Sequence, residues 1–304
     1  MEVIRFLQAT MPGPGWERFW TLMSKLSSEQ VFVALVPILY WTADRRFTRL
    51  LTGLLLFNIW VASVAKGLVA SPRPPAGGIR VAPVDVGSPL GFPSGHAQSA
   101  ALVWTVLASG VRRRWFAGLA AAVILLVGVS RLYLGVHWPA DVVGGWALGL
   151  GLAWLGIRVH GRAGGWLSAL PLWLRAALGA GIPVLLYAAY QAVPALGRIQ
   201  PEELPVAMGA LTGFLPGTVL EEAWIGYRPH PRPGWQVVRV ALGLAVVLAA
   251  RAGLKAVLPD TAGGDFVRYA AVALAATLLA PWLLRRIGGP VPSPVGAAER
   301  SPGA

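Results

Sequence analysis

The chain contains no cysteine. That excludes disulfide scaffolds, cysteine-ligated zinc, iron–sulfur clusters and thiol nucleophiles, and leaves the redox compartment open. Charge is scarce as well. Only 13% of the 304 residues are Asp, Glu, Lys or Arg, against about 25% in an average soluble domain. With 56% hydrophobic residues, too few polar side chains remain to cover a water-facing globule of this length. Acid is scarcest: 13 carboxylates stand against 26 basic residues, for a net charge of +13.

What that excess means depends on where the cations fall. A nucleic-acid-binding chain gathers them on one face, often among aromatics. Here they form short groups between apolar stretches: Arg45, Arg46 and Arg49; Arg112, Arg113 and Arg114; Arg158 and Arg162; Arg228, Arg232 and Arg239; Arg285 and Arg286. This is loop punctuation between membrane spans, and no nucleic-acid partner is expected.

A hydrocarbon core of about 30 Å is crossed by about 20 apolar residues in a helix. Nine stretches fit: about 28–43, 50–69, 97–111, 115–133, 141–158, 171–192, 205–222, 237–257 and 268–284. The expected fold is all-α, a polytopic membrane helix bundle. The first and third stretches are short and would extend into their flanks or tilt. No cleavable signal peptide is read, because Glu2, Arg5 and Pro12 interrupt the start. Trp16, Phe19, Trp20 and Met23 recur at helical spacing, with Glu17, Arg18 and Ser24 off that face. Residues 1–27 are therefore expected to form an interfacial segment, with a flap packed on protein as the equal alternative. The Gly/Pro/Ser-rich tail, 288–304, is expected to be disordered.

Orientation follows from the Lys/Arg asymmetry. With nine spans, fifteen of the 26 basic residues fall on one side and eleven on the other. Three of the eleven, Lys66, Arg73 and Arg131, are better explained by chemistry. The first side is therefore expected to be cytoplasmic, in a bacterial-type plasma membrane, with the 70–96 loop and the 131–140 turn facing outward.

Three segments bring polar residues to that outer face. Lys66 and Arg73 lie in Lys66-Gly-Leu-Val-Ala-Ser-Pro-Arg73-Pro74. Pro93-Ser94-Gly95-His96 opens the third span. Ser130-Arg131 and His137-Trp-Pro-Ala-Asp141 join the fourth span to the fifth. Desolvated cations at a membrane cost several kcal/mol unless paired, so three together imply an anion of multiple charge. Gly95 permits close backbone approach, and a helix N-terminus favours phosphate. The arginine fork suits phosphate oxygens. Asp141, four residues after His137, can reach back to one ring nitrogen and raise the nucleophilicity of the other. His96 is left to protonate a leaving oxygen. Taken singly, each residue has an ordinary structural role; those roles do not explain the convergence. A metal held by His96, His137 and Asp141 is disfavoured by the three cations around them, so no metal or other cofactor is expected.

Together the segments resemble the signature of the type 2 phosphatidic acid phosphatase superfamily: Lys-x6-Arg-Pro, Pro-Ser-Gly-His and Ser-Arg-x5-His-x3-Asp. The resemblance covers roughly residues 20–160. It implies a six-helix phosphatase core, placed at 28–195. Residues after about 195 fall outside the signature; about three additional helices are expected there as a C-terminal transmembrane extension at 196–287, serving packing or dimerisation or walling a lipid entry path. The resemblance implies a metal-independent phosphomonoesterase or pyrophosphatase that acts through a phosphohistidine. By position, His137 is then the nucleophile, Asp141 its orienter and His96 the general acid. Lys66, Arg73, Ser94, Gly95 and Arg131 hold the phosphoryl oxygens.

The expected substrate is a lipid phosphate within the bilayer, either a polyprenyl pyrophosphate or a phosphatidic acid-like lipid. Two other readings stay open: a lipid phosphotransferase using the same phosphohistidine, and a non-enzymatic lipid transporter or scaffold. Gly209, Gly213 and Gly217, and again Gly145 and Gly149, recur at four-residue spacing, which favours close helix packing and allows a homodimer. Glu221 and Glu222, at the cytoplasmic end of a span, invite a proton-relay reading. Pairing with Arg228 or Arg239, or simply lying at the interface, is the expectation preferred over it.

Overall fold

Every expected span is helical in the computed structural model, which describes residues 1–84, 86, 88–197, 202–228 and 233–287. Two short helices come first, α1 (Glu2–Thr10) and α2 (Pro14–Lys25). The bundle follows as α3 (Glu29–Thr42), α4 (Arg45–Val69), α5 (Gly95–Val111), α6 (Arg114–Tyr133), α7 (Pro139–Ser168) and α8 (Leu172–Ala192). A single turn, α9 (Pro194–Gly197), precedes α10 (Glu203–Trp224), α11 (Pro233–Val257) and α12 (Ala262–Leu274). A π turn, Ala275–Leu279, carries α12 directly into α13 (Ala280–Ile287). Among the described residues, seven helical stretches are long and apolar enough to cross a membrane. The two that fall short are α3 and α5, with 14 and 17 residues.

Helix ends are set by local chemistry. The Asp44 carboxylate accepts from Phe47 N at 2.9 Å and caps α4. Pro139 opens α7, where its missing N–H costs nothing. Two boundaries differ from expectation. The α7 helix runs past 158 to Ser168, because Arg158, His160 and Arg162 end its apolar stretch without breaking its backbone; the next proline is Pro171. The N-terminal segment is two helices rather than one, divided at Pro12 and at Gly13, whose φ of 101° suits glycine alone. The tail at 288–304 lies outside the described residues, as does Arg232.

Phe32, Leu51, Leu55, Leu102, Val103, Val106 and Ala153 form one core where α3, α4, α5 and α7 meet. The small-residue series act as expected. Gly145 and Gly149 let α7 close on the backbone of α5 at Ser94 and Gln98. Gly209, Gly213 and Gly217 lie against Phe266, Ala270 and Thr277, so α10 and α12 touch almost backbone to backbone. The α8 helix lies along α10, and Trp60 Nε1 on α4 donates to Leu186 O at 3.1 Å. Core and extension thus interlock.

The two glutamates at the end of α10 are paired, but not with Arg228 or Arg239. Arg45 Nη2 lies 2.5 Å from Glu221 Oε1, and Arg49 Nη1 lies 2.7 Å from Glu222 Oε2. Glu221 is fully buried and also accepts from Tyr227 N at 2.8 Å. Arg239 instead stacks over the Tyr227 ring and donates to Arg228 O. The start of α4 therefore meets the end of α10, and two residues read as topology signals are structural pins. Arg45 and Lys66 are 21 residues apart on α4, roughly 30 Å, so this cluster and the motif segments occupy opposite ends of the bundle.

Candidate active site

The end of α4, the loop that follows it, the start of α5 and the α6–α7 turn converge at one end of the bundle. Backbone bonds lock them together. Gly91 N donates to Ser71 O at 2.8 Å, and Ser94 N donates to Asp141 O at 2.9 Å. Pro72 and Leu90 form an isolated antiparallel bridge. The Lys66 ammonium donates to Pro93 O at 3.0 Å and Leu90 O at 3.2 Å, which holds the first cation against the loop that presents Ser94.

His137 sits in the turn before α7, almost wholly buried. Its Nδ1 lies 3.3 Å from Asp141 Oδ2, which also accepts from Trp138 N at 2.8 Å. Its Nε2 lies 3.0 Å from Arg73 Nη1. A guanidinium is donor only, so the neutral ring that satisfies both contacts carries its proton on Nδ1, toward Asp141, and its lone pair on Nε2. Arg73 is itself fixed by three backbone carbonyls: Ser88 O at 2.9 Å, Val136 O at 2.7 Å and Val86 O at 2.9 Å. Burial lowers the His137 pKa well below the ordinary histidine value, and the cations of Arg131, Arg73 and Lys66 lower it further. The imidazole is held neutral with its Nε2 lone pair turned toward Arg73, and a neutral imidazole nitrogen is what a nitrogen nucleophile requires.

The remaining expected residues surround this pair. Ser94 is buried, and its hydroxyl has no hydrogen-bond partner among the described residues. Gly95 begins α5, and a Cβ there would meet nothing within 4 Å. His96 is half-buried in the first turn of α5, within the fields of Arg131, His137, Arg73 and Lys66. Arg131, in the last turn of α6, is 1% exposed. Among the described residues, no group of three or more His, Asp or Glu is arranged to hold a metal ion.

Four residues join the site that the sequence did not mark. A Cβ on Gly91 would lie 2.7 Å from Asp141 Oδ2, so only glycine lets the carboxylate reach His137. Ser24, in the last turn of α2, and Ser27, just after that helix, contact Arg131 Nη1 and the His96 carbonyl. Ser24 was placed off the apolar face of its helix, yet it is buried together with Trp20; the packed face of α2 is partly polar because it meets the site. Glu203, at the start of α10, adds a negative field at Arg73 beside that of Asp141, both opposing the lowering of its pKa by burial. Motif spacing reveals none of these, since they come from segments outside the motifs or act through shape.

The family model described as "PAP2 superfamily" matches residues 46–164, which hold every motif residue. A second, "PAP2 superfamily phosphatase, transmembrane extension", matches residues 205–290. The chain is also 31% identical over 145 residues to undecaprenyl-diphosphatase of Sulfolobus acidocaldarius, covering 45% of this chain and 68% of that one.

The chain belongs to the PAP2 superfamily.

As a PAP2 protein it is an integral membrane hydrolase of the lipid phosphatase class. The chain is 40% identical over 83 residues to phosphatidylglycerophosphatase B of Bacillus subtilis, which covers 24% of this chain and 41% of that PAP2 relative. A solved structure of a transmembrane PAP2-type phosphatidylglycerolphosphate phosphatase from Bacillus subtilis aligns with a TM-score of 0.46 at 25% identity, covering 53% of this chain and 84% of that one.

Proposed function

We propose that this PAP2 protein removes phosphate from a lipid phosphate or diphosphate through a phosphohistidine on His137, at the outer face of the membrane. The observation that carries the reading is the buried His137, with Nδ1 on Asp141 and Nε2 on Arg73. A phosphoryl group arriving at Arg73 is delivered to the lone pair of Nε2.

Attack by Nε2 forms a P–N bond and breaks the bond from phosphorus to the leaving oxygen. His96, protonated when the negative charge of the bound phosphate offsets the cations around it, gives that oxygen its proton. A water molecule, giving a proton back to His96, then attacks phosphorus; the P–N bond breaks and phosphate departs. In this reading Lys66, Arg73, Arg131, the Ser94 hydroxyl and the first amides of α5 hold the three equatorial oxygens, where negative charge spreads in the transition state. Asp141 holds the Nδ1 tautomer. The named activities of the relatives, an undecaprenyl diphosphatase and a phosphatidylglycerophosphatase, share the chemistry of a phosphate on a membrane lipid. The outward orientation favours a polyprenyl diphosphate, and no metal is assigned to any step.

The test is release of inorganic phosphate in detergent, with chelator present, from prenyl diphosphates and glyceryl phosphates. The wild-type chain should hydrolyse the prenyl diphosphate best, and His137→Ala should abolish turnover. Full turnover by His137→Ala removes the nucleophile from this account. Activity lost to chelator and restored by a divalent metal removes the metal-free reaction.

A further inference from the structure

The helix α2 lies outside both regions matched by the family models, yet it reaches into the phosphate site. Arg131 Nη1 donates to Ser24 Oγ at 2.6 Å. Both groups are buried: Ser24 is 4% exposed and Arg131 1%. One turn earlier on α2, Trp20 packs against Tyr133, two residues beyond Arg131, with ring centroids 5.8 Å apart. One turn later, Ser27 Oγ donates to the His96 carbonyl at 3.1 Å. The end of α2 therefore touches both α6 and α5 where each presents a site residue.

We propose that Ser24 is a positioning residue for phosphoryl transfer, its hydroxyl oxygen setting the plane of the Arg131 guanidinium toward the substrate's phosphoryl oxygens. This rests on the phosphatase reading of the site. An arginine fork grips phosphate in a fixed plane, and the side chain that carries it has several rotatable bonds. A short hydrogen bond at one corner of the fork removes that freedom before substrate arrives, which is preorganisation. Ser24 does not touch the substrate; it acts through Arg131. Of the three cations, Arg131 exerts the largest field on His137, so an error in its plane falls on the reacting centre. The α1–α2 pair is held in place independently of this bond. Gln8 Nε2 donates to Arg80 O at 2.7 Å and Tyr133 O at 2.8 Å, and Arg5 Nε donates to Gly78 O at 3.1 Å. Removing the Ser24 hydroxyl leaves these α1 bonds and the packing of Trp20 of α2 on Tyr133 in place.

The experiment is steady-state kinetics of the full chain in detergent on its best lipid phosphate, together with inhibition by orthovanadate. Ser24→Ala should lower kcat by about 10- to 100-fold, the range for losing one charge-assisted hydrogen bond. KM should stay within about 3-fold, and the vanadate inhibition constant should rise with the fall in kcat, since a transition-state mimic feels the same misplacement. Ser24→Thr, which keeps the oxygen, should restore most of the rate. Added to Arg131→Ala, Ser24→Ala should cost less than about 2-fold more in vanadate affinity, because its effect runs through Arg131. Where alanine at this buried position does not fold, Ser24→Cys keeps the shape with a weak acceptor and should show the same loss. Wild-type kcat in a folded Ser24→Ala or Ser24→Cys, or losses that multiply in the double variant, overturns the proposal. A wild-type chain that releases no phosphate from any lipid overturns the phosphatase reading instead, which separates the two failures.

Discussion

Gly91→Ala is a change of one methyl group, with no charge and no motif residue altered, and the structure predicts that it disables the enzyme. The added Cβ would lie 2.7 Å from Asp141 Oδ2, 3.3 Å from Asp141 Cγ and 3.3 Å from Pro72 O. Non-bonded heavy atoms settle at about 3.5–4.0 Å, so the carboxylate must retreat by roughly 0.8–1.3 Å. Its contact with His137 Nδ1 is already 3.3 Å, and retreat ends it as a hydrogen bond. The loop cannot yield in its place, because Gly91 N is bonded to Ser71 O and Ser94 N to Asp141 O. Misplacing a catalytic group by about 1 Å can cost about 100-fold. Gly91→Ala is therefore expected to lower kcat by about 10- to 100-fold, with KM within about 3-fold, and to cost about 1–3 kcal/mol of stability from overpacking. The assay is phosphate release in detergent, with thermal unfolding run beside it. Gly95→Ala is the control. Its methyl would meet nothing within 4 Å, so stability should hold, and on the proposed reading, in which phosphoryl oxygens approach the open side of Gly95, vanadate inhibition should weaken. Wild-type kcat in folded Gly91→Ala would refute the argument that the His137–Asp141 distance governs turnover.

Three further expectations can be checked directly. The lowered pKa of His137 means that its neutral, nucleophilic form persists as pH falls below the ordinary histidine value of 6.5. The acid limb of kcat/KM should lie clearly below that value, and Arg73→Gln, by removing one opposing cation, should move the limb of the residual activity upward; a limb at or above 6.5 in the wild type refutes this. Glu221→Ala leaves Arg45 without its 2.5 Å partner. Breaking such a buried pair costs about 3–5 kcal/mol, so denaturant unfolding in detergent should fall by about that amount, and equal stability would show that Arg45 is no structural pin. Ala76→Cys in this cysteine-free chain should react with an impermeant maleimide on intact cells; labelling only after lysis reverses the orientation.

The sequence by itself determined that the chain is a membrane helix bundle and where its long apolar helices lie, seven of them long enough to cross a membrane among the described residues, and it singled out the motif residues as candidates. The physical reason is that these are one-dimensional properties. Apolar run length fixes a span, and the residues within each of the three motif segments lie close together along the chain. His137 and Asp141 meet across the first turn of one helix, and the Gly209, Gly213 and Gly217 spacing announces a close helix contact whatever its partner. Only the tertiary structure decided what lies opposite. It set Glu221 on Arg45, 176 residues away, where nearness in sequence favoured Arg228 or Arg239. It turned α2 so that Ser24 reaches Arg131, 107 residues on, where the helical pattern had placed that serine off the apolar face. It brought Glu203 of the extension into the field of Arg73. Hydrophobic periodicity reports that a face is buried, but not what the face meets. A buried polar side chain is placed by its partner, and partners drawn from distant helices exist only once the bundle has closed.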